Sequence, residues 1–256
     1  PSITKTADAD TVEIGQIVKY TVTGTIPDTT GYAGYQYIIH DTLTAGLDFV
    51  NDENGATVAG NDLTVTVQIG TALAEEQTAK LSGANNRTMD LDLSAWIISK
   101  QADKGSTFTV TYYAKVNGDA VVQTNNSASL EYGNDPGNTT ATTPVKAETP
   151  TYPLDIRKTI KGEDMLLEGA KFRLYRNETD ATTPANKDNA IKVTGGSGSY
   201  IVSDNQTTGN MDMETAAAEV APGYNLHLNG LAAGDYWLVE TDAPAGYNKL
   251  SAPIKV

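Results

Sequence analysis

Five polar side chains fall on strand faces that are otherwise apolar, and each is costly there unless it is paired or uncharged. In Tyr236-Trp-Leu-Val-Glu240, Tyr236, Leu238 and Glu240 share one parity, and no Lys or Arg stands beside Glu240. A carboxylate among hydrophobes must be paired or protonated. Lys158 shares a face with Leu154, Ile156 and Ile160, a setting that lowers the pKa of an amine. In the first half of the chain, Lys5 shares a face with Ile3, and Asp41 with Tyr37 and Ile39. Asn126 shares one with Ala128 and Leu130. Four of them have a plainer reading. Glu240 is then a solvent-directed carboxylate at a strand end, and Lys158 a snorkelling lysine. Asp41 is a turn or cap residue, and Asn126 an amide bonded to backbone.

The elements that position these groups read as strands. Val18, Tyr20 and Val22 alternate with Lys19 and Thr21, and Thr107 to Val116 is a second strong strand. Further strands are expected at Ile3–Ala7, Tyr35–Asp41, Leu63–Ile69, Met89–Leu93 and Asn125–Tyr132. Later ones follow at Leu154–Ile160, Tyr200–Val202, Tyr224–Leu228 and Asp235–Glu240. Ala72 to Leu81 is the one helix candidate, and Ala95 to Ser99 continues into packed core. The fold class is all-β, as two tandem immunoglobulin-like sandwiches of residues 1–148 and 149–256. The break is expected at Lys146 to Pro153, where two prolines bar regular pairing.

Composition removes several function classes. The 256 residues contain no Cys, so neither a disulfide nor a thiolate metal site exists. His40 and His227 are the only histidines and stand far apart, against zinc chemistry. Asn51-Asp-Glu-Asn-Gly55 lacks the Glu that would complete a calcium loop. No metal and no cofactor is expected. A net charge of −14 disfavours nucleic acid and anionic membranes as partners. No apolar run reaches membrane-span length, and Pro1-Ser2 does not begin a signal peptide, so a trimmed piece of a longer chain is expected.

Tyr236-Trp-Leu-Val-Glu-Thr-Asp-Ala-Pro-Ala-Gly-Tyr247 resembles the E-box of collagen-adhesin B-type domains in Gram-positive surface pilins. Leu167-Glu-Gly-Ala-Lys-Phe-Arg-Leu174 and Asn229-Gly-Leu-Ala-Ala-Gly-Asp-Tyr236 are similar to two further signatures of that domain. Residues 1–145 resemble the D2-type isopeptide domain of fimbrial shaft subunits. The features are Lys5 in Ile3-Thr-Lys-Thr-Ala7, the block Tyr37 to Phe49, and Asn126-Ser-Ala-Ser-Leu-Glu-Tyr132. The resemblance implies an intramolecular isopeptide bond between Lys5 and Asn126, with Asp41 as the promoting acid; Asn125 is the neighbouring alternative. In the second domain it implies Lys158 as the amine and Glu240 as the acid. The family's acceptor Asn comes well past the E-box, whereas Asn248 follows it directly. The expectation is therefore a truncated second domain whose acceptor lies beyond residue 256.

The chemistry so implied is a single self-modification and not turnover. A neutral buried amine attacks the carboxamide, a neutral buried acid polarises it, and ammonia leaves. The family implies an extracellular, cell-wall-anchored pilus shaft subunit that sortase joins to other pilins. The alternative is the stalk or ligand-binding module of an adhesin with a host surface ligand. Tyr152-Pro does not continue into the Tyr-Pro-Lys-Asn pilin motif, so no sortase lysine is placed there. A glycosidase using paired carboxylates is the weakest reading, because the acids map to strand ends.

Overall fold

The computed structural model describes residues 1–121 and 123–256. The chain separates into two compact units: Pro1–Asp10 with Gln16–Pro150, and Thr11–Gly15 with Thr151–Val256. Alternation over Val12 to Thr23 reads as two strands divided at Gly15, but only the second forms. Val12–Ile14 is not strand, and this segment belongs to the second unit, where the Ile14 amide donates to the Gly230 carbonyl at 3.0 Å.

In the first unit, β1 (Thr4–Ala7) pairs antiparallel with β2 (Ile17–Thr25). Further along the chain lie β3 (Gln36–Leu43), β4 (Leu47–Val50), β5 (Asp62–Ile69), β6 (Glu75–Ser82) and β7 (Thr88–Asp92). The helix α1 (Ser94–Ser99) follows, then β8 (Thr107–Val116), β9 (Gln123–Gly133), β10 (Thr140–Ala141) and β11 (Val145–Pro150). Strand β8 joins β2 to β5, and β6 and β7 carry the hydrogen bonding round to β3 and β9. The two ends of this path face each other. Phe108 of β8 meets Tyr37 of β3 edge-on at 5.8 Å, and Trp96 of α1 meets Phe108 at 5.2 Å. Alternation sets the core: Val18, Tyr20 and Val22 are buried with Phe108, Val110 and Tyr112 on one side. Tyr37, Ile39, Leu91 and Leu130 are buried on the other.

Two expectations are corrected. Residues 72–81 do not form a helix; Glu75–Ser82 is strand β6, paired with β5 and β7. Its buried residues, Ala79 and Leu81, are two apart, and cross-strand pairing overrides the helical propensity of Ala, Glu and Lys. The expected unpaired break at 146–153 is instead mostly strand. β11 pairs with β9 through Pro150, and a proline at the last position of such a strand removes no needed donor.

In the second unit, β12 (Tyr152–Ile156) pairs antiparallel with β17 (Leu226–Leu231). β17 runs parallel to β15 (Ser199–Val202), which makes a hairpin with β14 (Val193–Gly196). The second sheet has the order β16 (Met213–Glu214), β13 (Lys171–Tyr175), β18 (Trp237–Asp242) and β19 (Ile254–Lys255). The polar stretch after Asn177 contains a short helix, α2 (Glu178–Thr182), whose first turn Asn177 caps by accepting from the Asp180 amide at 2.8 Å.

Candidate functional site

Lys5, Asp41 and Asn126 come from β1, β3 and β9, and all three are buried. The Lys5 amine and the Asp41 carboxyl have no exposed side-chain surface. Lys5 Nζ donates to Asp41 Oδ2 and to the Tyr112 hydroxyl. Tyr112 Oη in turn donates to the same Asp41 oxygen at 2.5 Å. The Asn126 carboxamide lies against both Asp41 and Tyr112. Among the described residues neither its oxygen nor its nitrogen has a hydrogen-bond partner, and Asp41 Oδ1 has none either.

Each element contributes its group for a local reason. β1 pairs with β2, Lys5 opposite Val22, so Lys5 points inward with Ile3. β3 pairs with β9, Asp41 opposite Ala128 and Leu43 opposite Asn126, which brings the acid and the amide onto one face of neighbouring strands. Tyr112 projects from β8 opposite Tyr20 of β2, ring centroids 5.8 Å apart.

Burial dominates the electrostatics. It pushes the Lys5 amine below its ordinary range against the pull of Asp41, and the Asp41 carboxyl above its own against Lys5 and Tyr112. Burial also pushes the Tyr112 hydroxyl well up. All three shifts favour uncharged groups: a nucleophilic amine, a protonated acid and a neutral phenol, packed round a carboxamide with unused hydrogen-bonding capacity. Such an arrangement can exchange one amide for another.

The second pair is also brought together, but in a different setting. Glu240 of β18 is buried, and its Oε1 lies 2.9 Å from Lys158 Nζ without a well-aligned hydrogen bond. Its Oε2 accepts from the Leu250 amide at 2.9 Å. The Lys158 side chain is 19% exposed. The expected aliphatic enclosure is therefore corrected: β12 ends at Ile156, and Leu154, Ile156 and Ile160 are only half-buried. Neither nearby asparagine suits an acceptor role. The buried Asn225 accepts from the Lys158 amide at 2.8 Å and donates to the carbonyls of Leu167 and Ala216, tying loops together. Asn248 is exposed.

Tyr112 was missed by the sequence reading. The parity of Phe108, Val110 and Tyr112 marks it as inward-facing, but a buried tyrosine on a strand carries no sign of which group its hydroxyl meets. The Asn51 to Gly55 stretch is a turn in which Asp52 Oδ1 accepts from the Asn54 and Ala56 amides at 2.9 and 3.0 Å. That satisfies local backbone and is unrelated to the buried cluster.

Residues 153–256 match the model of the SpaA prealbumin-like fold domain. No curated protein matches the chain. Among solved structures, the T6 backbone pilin of serotype M6 Streptococcus pyogenes aligns with all of this chain at a TM-score of 0.61 and 19% identity. This chain spans about half of that one, 51%. The group B streptococcus pilus 2b backbone protein aligns with 98% of this chain and 88% of its own, with a TM-score of 0.61 and 23% identity. The Corynebacterium diphtheriae major pilin SpaA aligns with 100% and 64%, with a TM-score of 0.61 and 19% identity. Its structure is described as pointing to a modular pilus assembly stabilizing isopeptide bonds. At these identities the likeness is one of fold: an all-β chain with the architecture of Gram-positive backbone pilins.

Proposed function

We propose that this chain is a shaft-forming segment of a covalently polymerised, extracellular bacterial pilus. Its first unit makes its own isopeptide bond between Lys5 and Asn126, with Asp41 as the promoting acid. The observation that carries this reading is the sealed cluster: an amine and an acid both driven toward neutrality beside a buried carboxamide whose polar atoms are unsatisfied. Left unreacted, such a cluster is a liability, because buried polar groups without partners destabilise. Condensed to an amide beside a neutral acid, it loses both charges. The D2-type and E-box motifs, and the backbone-pilin likeness, support the same reading. Lys158 and Glu240 are proposed as amine and acid of a second site in the residues that match the SpaA domain. Attachment to the cell wall and sortase-made linkage to other pilins belong to the same proposal.

Intact mass under denaturing conditions tests it. The parent is expected to weigh one ammonia less than its sequence for each bond. Lys5→Ala and Asp41→Ala are each expected to restore the missing mass of the first unit. A parent at full sequence mass refutes the bond. An Asp41→Ala protein that still lacks ammonia moves the acid's role elsewhere.

A further inference from the structure

We propose that Tyr112 is a third catalytic residue of the first unit, its hydroxyl relaying protons from the Lys5 amine to the Asp41 carboxyl. The inference rests on reading Lys5, Asp41 and Asn126 as the bond-forming set. It is carried by where the hydroxyl sits. Tyr112 accepts from Lys5 Nζ, donates to Asp41 Oδ2 at 2.5 Å, and lies against the Asn126 carboxamide. It touches the nucleophile and the acid and lies beside the amide to be cleaved, with no solvent path of its own, since the residue is fully buried.

The geometry gives the relay a task that Asp41 alone does poorly. Lys5 Nζ and Tyr112 Oη converge on one carboxyl oxygen, Oδ2. To attack, Nζ must turn its lone pair toward Asn126, and its direct contact with Oδ2 loosens as it does so. The hydroxyl keeps a proton path open because it contacts both groups. One proton leaves Nζ for Oη while the hydroxyl's own proton passes to Oδ2. This leaves a neutral amine, a neutral acid and an unchanged tyrosine. The Nζ lone pair then forms a bond to Asn126 Cγ, and the carbonyl π pair moves onto Oδ1. A second proton leaves Nζ through the hydroxyl to Asp41, which hands its first to Nδ2. The Cγ–Nδ2 bond breaks with its electron pair on nitrogen, the carbonyl re-forms and ammonia departs. Nothing is oxidised or reduced. Burial holds the phenol strongly neutral, which suits a group that passes protons and keeps none.

Tyr112→Phe removes the hydroxyl and keeps the ring contacts with Tyr20 and Phe49. Tyr20→Phe is the control: that ring lies 5.0 Å from Lys5 Nζ, but its hydroxyl makes no hydrogen bond to the amine. Chain purified from inclusion bodies in guanidinium, before it has folded, is diluted into buffer. Samples are quenched at intervals for intact mass, and circular dichroism follows folding. Tyr112→Phe is expected to fold at the parent's rate and lose ammonia at least about tenfold more slowly, while Tyr20→Phe keeps the parent's rate. The ratio of rates in H2O and D2O is expected to fall in Tyr112→Phe. Bonding at the parent's rate, an unchanged isotope ratio, or equal slowing by both variants overturns the relay while leaving the bond intact. A parent that never loses ammonia overturns the bond and the relay together. Should Tyr112→Phe not fold, the parent's rate against deuterium fraction decides: a curve supports two protons moving through the hydroxyl, and a straight line overturns it.

Discussion

Asp41 and Lys5 are the pair on which the two accounts of this core differ in sign. If they are only a buried ion pair, replacing both with apolar residues of similar volume is neutral or stabilising. If Lys5 is bonded to Asn126, the same replacement deletes a crosslink that closes a loop on the order of 100 residues, worth about 5 kcal/mol in the chain-entropy model. We therefore expect Lys5→Met/Asp41→Leu to stay folded, regain full sequence mass and lose several kcal/mol against the parent in denaturant. An unchanged or higher midpoint would identify an ion pair. Glu240 supports a separate expectation. Its carboxylate holds the exposed segment around Leu250 through that residue's amide. Glu240→Ala should speed hydrogen exchange at the Leu250 amide and cost the second unit about 1.5–3 kcal/mol, the range for a hydrogen bond to a charged group. Exchange at the parent's rate would show that the contact does not hold the segment.

The strand β3 carries different chemistry on its two faces. Asp41 points inward, while His40 on the outer face bridges its neighbours, with Nδ1 2.6 Å from Asp90 of β7 and Nε2 2.9 Å from Glu131 of β9. Partial burial works against the imidazolium, but the hydrogen bonds to the two acids outweigh it and raise the His40 pKa above its ordinary value. The folded state therefore binds the proton more tightly than the unfolded one. The stabilisation is complete below the unfolded value and is lost as pH rises through the folded one. The parent should lose denaturant resistance as pH rises above about 6.5 relative to His40→Gln, which lacks this titration. Parallel pH profiles would remove His40 from the account. On β2, a side chain at Gly24 would meet the Tyr37 hydroxyl at 2.7 Å and the Phe108 ring at 2.9 Å. Gly24→Ala should therefore shift the aromatic pair that closes the core and destabilise by about 1–3 kcal/mol in urea titration. A neutral result would mean the rings move aside freely.

For the whole molecule, the two units carry unequal reinforcement under the proposed function. The first joins its first strand to one near its end, while in the second a partly exposed Lys158 faces a buried Glu240 and no acceptor asparagine is assigned. A crosslink of the first kind routes tension past the intervening strands and slows unfolding beyond its equilibrium contribution. Calorimetry of the parent should show two transitions, with the second unit melting first, and Lys5→Ala should bring them together by lowering the upper one. A single transition, or an upper one that Lys5→Ala leaves in place, would argue against the unequal reinforcement.

Period-two alternation made most strands legible in the sequence, because a strand's buried face is written in the residues themselves. Lys5, Asp41, Asn126 and Glu240 stood out for the same reason, as polar types on faces that alternation assigns to the interior, and the structure buries all four. Ala72 to Leu81 was misread because local propensity there favours helix, while pairing with β5 and β7 favours strand. Lys158 was misjudged because parity assumes the strand continues, and β12 stops at Ile156. What only tertiary structure decided is which groups meet. Tyr112 is one of several inward tyrosines by pattern. Its hydroxyl reaches Lys5 and Asp41 because β8 lies beside β2 while the sheet path through β5, β6 and β7 brings β3 and β9 across from them. Alternation fixes the direction of a side chain, and the pairing of distant strands fixes its partner.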